Sequence, residues 1–135
     1  MAEITVVKEQ LTDAMIEAGA LLTQKLDEMG VPISTAMWFF LPEANDWRLF
    51  FASPNVSLAG SRQMYEKVQK AQAALGESAP RVPFSSIGVI DTNHKLARLL
   101  RTAVQTGPEL ARIRFAREAF DGQFIDDALV YRSAA

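Results

Sequence analysis

Apolar residues recur at spacings of three and four from Leu11 through Met15, Ala18, Leu22 and Leu26 to Met29. That period gathers them on one stripe of a helix, predicted from about Val7 to Met29, with Gly30 and Pro32 as its stop. A stripe of this kind packs on a core; a dimer seam is the alternative use. The period then changes. Ala36-Met37-Trp38-Phe39-Phe40-Leu41 is apolar at every position, the pattern of a strand covered on both faces. Pro42 to Asp46 is a turn cluster, and Trp47-Arg48-Leu49-Phe50-Phe51-Ala52 returns as the second strand of a hairpin closed by Pro54.

Helical spacing resumes at Leu58 or Ser61 and runs to Leu75, with Met64, Val68, Ala71 and Leu75 inward and Gly76 as the end. Glu77 to Pro83 reads as a loop inside one domain, because too little chain follows to build a second core. Ile87-Gly88-Val89-Ile90 reads as a short buried strand. Asp91, Thr92 and Asn93 offer caps for a third helix, whose inward positions are Leu96, Leu99, Leu100, Ala103 and Val104. Gly107-Pro108 ends it.

The last segment carries its own register. Asp121-Gly122 is a preferred pair for a two-residue type I′ turn. Placed there, it sets Phe120 opposite Gln123, Ala119 opposite Phe124, Arg117 opposite Asp126, Phe115 opposite Ala128 and Ile113 opposite Val130. One face is then apolar around a single ion pair, Arg117 with Asp126. The other is mixed: Arg112, Arg114, Glu118, Ile125, Asp127, Leu129 and Tyr131.

These elements predict a single α+β domain over residues 1–135 in the order α-β-β-α-β-α-β-β. Two hairpins and a lone strand make a five-stranded mixed sheet packed with three helices. Strand order within the sheet is not readable. The segments Trp38 to Pro42, Trp47 to Leu49, Ala52 to Pro54 and Ile125 to Arg132 resemble those of small bacterial proteins with no assigned function, along most of the chain. The resemblance implies a bacterial, cytosolic origin and transfers no activity, cofactor or site residue.

Composition narrows the chemistry. At 135 residues and 49% hydrophobic, the chain can bury a core without a covalent staple. It has no cysteine and one histidine, His94, which excludes disulfides, thiolate nucleophiles and zinc sites built from Cys or several His. Met1-Ala2-Glu3-Ile4 lacks the basic-then-apolar start of a secretory signal, so the cytoplasm is the expected compartment and no membrane partner is expected. Net charge is only −2, which gives no global field toward nucleic acid. The signs are uneven, however: acids dominate to Pro80, and arginines concentrate after it.

Three groupings carry candidate chemistry. Asp91, Asp126 and Asp127 sit on or beside strands, where converging carboxylates can hold a divalent metal for phosphoryl transfer. Against this, Asp91 suits a helix cap, and neighbouring strand residues point apart, so Asp126 and Asp127 meet only across a bulge. His94, Arg98, Arg101 and Gln105 share one face of the third helix, and Arg112 and Arg114 share a hairpin face; both suit phosphates or an acidic partner. No Gly-rich phosphate loop or serine elbow is present, and no catalytic triad is supported. Finally, Trp38, Phe39, Phe40, Trp47, Phe50 and Phe51 crowd one hairpin and leave more apolar sheet than three helices cover.

The reading that follows is a non-enzymatic binding or interaction module without a cofactor or bound metal. Its expected partner is a second copy of itself, or another protein, met through Arg112, Arg114, Ile125, Leu129 and Tyr131. The alternatives are a small metal-dependent, nuclease-like enzyme using Asp91, Asp126 and Asp127, and a nucleic-acid binder using Arg98, Arg101, Arg112 and Arg114.

Overall fold

A computed structural model describes residues 7–120 and 122–134. Strand β1 (Thr35–Leu41) pairs antiparallel with β2 (Asp46–Ala52), and Phe40 faces Trp47 next to the turn. Strand β3 (Ile87–Ile90) lies parallel to β2. The C-terminal hairpin, β4 (Ile113–Phe120) and β5 (Gln123–Ser133), docks through β5 against β1. The five-stranded mixed sheet therefore runs β3-β2-β1-β5-β4, and the most continuously apolar strand, β1, is its centre.

Helices cover both faces. Helix α1 (Asp13–Glu28) and helix α3 (Ser61–Leu75) pack on one side, where Leu22, Leu26, Met64 and Val68 meet Trp38, Trp47, Leu49 and Phe51. Between β2 and α3 lies a short additional helix, α2 (Asn55–Ala59), separated from α3 by Gly60 at φ +89°. Helix α4 (Lys95–Ala103) covers the other side through Leu100, against Met37 and Val130. The α+β order read from the sequence holds, with the second helical stretch broken in two. Among the described residues, no helix is long and apolar enough to cross a membrane.

Two helix starts differ from expectation. Helix α1 begins at Asp13, where the Thr12 hydroxyl accepts from the Met15 amide at 3.2 Å. The residues before it are extended and strap the β1–β2 turn: Asn45 bonds both the Val7 carbonyl and the Glu9 amide, and the Trp47 indole donates to the Glu9 carbonyl. Helix α4 is capped by His94, not by Asp91, Thr92 or Asn93; its Nδ1 accepts from the Leu96 amide at 3.1 Å. A histidine side chain is long enough to replace the usual Ser or Asp here.

Strand β5 departs from regular alternation twice. Opposite Ala36 and Met37 the partner changes from Arg132 to Val130, which leaves Tyr131 as an extra, unpaired residue. Such a bulge turns two successive side chains to one face. The Tyr131 hydroxyl accepts from the Trp38 indole at 3.1 Å and donates to the Ile16 carbonyl. Arg132 grips Asp27 through two bonds of 2.8 and 2.9 Å. Helix α1 approaches closely enough for this only because residue 19 is glycine: a Cβ there would lie 2.5 Å from the Tyr131 hydroxyl and 2.7 Å from the Trp38 indole nitrogen.

The second departure is at the C-terminal hairpin. Every expected pair on either side of Arg117 is present, from Ile113 with Val130 to Phe120 with Gln123, and Gly122 takes φ +77° in the turn. Asp121, the other half of the expected turn pair, lies outside the described residues. Arg117 itself adopts φ +53° and does not pair with Asp126. The expected Arg117–Asp126 ion pair is therefore corrected: a left-handed residue leaves the ladder for one step, and Asp126 meets Lys8 instead.

The expected interaction face is corrected as well. Ile125, Leu129 and Tyr131 are buried within the chain, the last two beneath α1 in the main core. What looked like leftover sheet at these positions is covered, Leu129 and Tyr131 by the core under α1.

Candidate anion-binding cleft

The strand carboxylates do not come together as a metal triad. Asp91 follows β3 at the level of Ala52, Thr35 and Ser133, whereas Asp127 lies at the opposite end of the sheet, near Phe40 and Trp47. Asp126 and Asp127 do converge, helped by the break at Arg117, but on a resident cation: the Lys8 ammonium sits 3.2 and 2.9 Å from them. The same ammonium lies 4.6 Å from the Phe40 ring centroid. Among the described residues, no group of three or more His, Asp or Glu is placed to share a metal.

Arg114 completes this ion cluster. Its Nε and Nη2 donate to the two Asp127 oxygens at 2.6 and 2.8 Å while the guanidinium covers the Trp47 ring. Burial pushes the Asp127 carboxyl up, but the hydrogen bonds and charges of Arg114 and Lys8 outweigh it and hold the group below the ordinary carboxylate range. Tyr131 titrates well above the ordinary phenol, chiefly because it is buried. These groups are structural ties.

The arginines proposed as one basic surface are split by the sheet. Arg112 pairs with Glu17 at 3.0 Å, and Arg114 with Asp127, both on the α1 side. Arg98 and Arg101 belong to α4, across the sheet. His94, expected to share their stripe, is instead turned back as the α4 cap.

What α4 does present is a cleft of about 860 Å³ between its outer face and the tip of the C-terminal hairpin. Lys95, Arg98 and Arg101 line it, with Leu99 and Gln105 from the same segment and Gln123 from β5. No carboxylate lies on its wall among the described residues. Arg98, Arg101 and Lys95 make no ion pair among the described residues. Arg101 is positioned by one donor, Nη1 to the Thr92 carbonyl at 2.9 Å, leaving its remaining donors available.

Sequence spacing showed Arg98, Arg101 and Gln105 on one helix face, and Lys95 was visible three positions before Arg98. Gln123 had no signal. Its parity matches Asp127 and Leu129, which face α1, yet it lines the cleft beside α4. The non-alternating step at Arg117 and Asp126 accounts for the reversal, and it also brings the Phe115 and Phe120 rings within 5.6 Å. No family model matches this chain, and no curated protein or solved structure matches it either, so the reading of the cleft stands on its geometry.

Proposed function

We propose that the protein is a non-enzymatic binding module whose ligand is a small anion carrying phosphate groups, seated in the α4 cleft. The observation that carries this reading is the meeting of Lys95, Arg98 and Arg101 on one concave wall, with no acidic residue lining it among the described residues. Cations gathered without counter-charge repel one another, and a bound anion reverses the sign of that energy. Guanidinium forks match phosphate oxygens in pairs, and a lysine adds a mobile point charge. Elsewhere Lys8, Arg114 and Arg132 are each held by a carboxylate, in contrast to the cations of this cleft.

Inorganic pyrophosphate is the direct probe. Calorimetry at low ionic strength should register one site per chain, weakened at least severalfold by Arg98→Ala and again by raised salt. An unchanged affinity in Arg98→Ala, or no heat at millimolar pyrophosphate, removes the reading.

A further inference from the structure

We infer that the ligand is a nucleoside phosphate, its phosphates on Lys95, Arg98 and Arg101 and its base or sugar held by Gln105 and Gln123; this rests on the reading of the cleft as an anion site. Three features lead there. The first is extent. Helix α4 has nine residues, a rise of about 13 Å. The cleft's basic lining is confined to it, in Lys95, Arg98 and Arg101, while Arg112, Arg114 and Arg132 are consumed by Glu17, Asp127 and Asp27 on the far side of the sheet. A nucleic-acid strand draws its affinity from a track of many phosphates. A compact ligand needs only what α4 offers, and the cleft volume lies in the range of small-molecule sites.

The second feature is chemical zoning. Gln105 lies beyond the last turn of α4 and Gln123 on the hairpin, so carboxamides face the cleft where the cations stop. A carboxamide both donates and accepts, which suits the edge of a base or a ribose hydroxyl rather than a phosphate. Leu99 supplies an apolar wall beside them.

The third feature is the backbone at Arg117. A left-handed non-glycine residue in the middle of a strand is strained and persists only where the surroundings demand it. Its consequence is the turning of Gln123 out of the α1 side and into the cleft.

Calorimetry in metal-free buffer with ADP, pyrophosphate and a short oligodeoxythymidylate tests the assignment. ADP should bind at least tenfold more tightly than pyrophosphate. Gln123→Ala should weaken ADP about tenfold, as expected for one lost hydrogen bond of about 1.4 kcal/mol, and leave pyrophosphate unchanged. Gln105→Ala provides the same comparison should the hairpin variant unfold. Equal affinity for ADP and pyrophosphate, or a Gln123→Ala loss common to both, overturns the nucleoside assignment while the anion site stands. Tighter binding of the oligonucleotide than of ADP overturns it in favour of nucleic acid. Failure of all three probes overturns the site as well.

Discussion

The two faces of the sheet handle charge in opposite ways. On the α1 side every cation next to the core has a carboxylate: Arg132 holds Asp27, Arg112 holds Glu17, and Arg114 with Lys8 holds Asp127. The indole of Trp38 and the hydroxyl of Tyr131 satisfy each other there, and Gly19 admits the helix against them. On the α4 side Lys95, Arg98 and Arg101 stand around open space, with no ion pair to a carboxylate among the described residues. The difference separates two jobs. Paired charge on the first face ties down a docked helix and an N-terminal strap; the charge on the second is the basis of the proposed ligand site. Substitutions should therefore cost stability on one side and binding on the other.

The largest expected effect is at Gly19. Placing a methyl group 2.5 Å from the Tyr131 hydroxyl must displace α1 or the buried Trp38–Tyr131 pair, so Gly19→Ala should lower stability by about 3 kcal/mol in denaturant unfolding. A loss below about 1 kcal/mol would show that α1 adjusts freely and that the face is less tightly tied than the distances imply.

Next comes the Asp127 cluster. Asp127→Asn should cost about 2 kcal/mol, moderated because Arg114 and Lys8 are each roughly half exposed. Arg114→Ala added to it should cost less than the sum, and additive losses would mean that the two groups do not act together. The pH sign follows from the lowered carboxyl. The unfolded chain takes up the proton first, so this stabilisation is complete above the ordinary carboxylate range. It is lost as pH falls through that range toward the folded value. Acid unfolding profiles should show a shallower acid limb in Asp127→Asn than in the parent.

Arg117→Gly sharpens the comparison in the other direction. Glycine adopts φ +53° without a Cβ penalty, so stability should rise by about 0.5–1 kcal/mol. A loss instead would indicate that the arginine side chain makes a stabilising contact. Smallest of all, Arg98→Ala should change stability by less than about 0.5 kcal/mol while weakening pyrophosphate binding. Loss of fold in this variant would erase the division between the two faces.

Much of this was legible along the chain. Period-two and period-three-to-four patterns separated strands from helices because burial imposes those periods locally. The Asp121-Gly122 turn set a hairpin register that the ladder follows from Ile113–Val130 to Phe120–Gln123. Helix spacing alone puts Arg98 and Arg101 on one face; Gln105 joins them in the cleft although α4 stops at Ala103, short of the expected end at Gly107-Pro108, and Val104 is extended. The failures have a common origin. Arg117 facing Asp126 assumed unbroken alternation, and one residue at positive φ cancelled it. The pattern around Ile125, Leu129 and Tyr131 suggests an open surface, because a strand's own pattern cannot say which helix will lie upon it. Asp126 and Asp127 met Lys8, a residue more than a hundred positions away in sequence.

The sequence by itself determined the order of the main elements and the pairing of the C-terminal hairpin apart from Arg117 and Asp126, since these depend on period, turn chemistry and neighbours along the chain. Only the tertiary structure decided the order β3-β2-β1-β5-β4, the division of the arginines between two faces and the entry of Gln123 into the α4 cleft. Those outcomes depend on which distant surfaces bury each other, and on one backbone step whose strain no residue type announces.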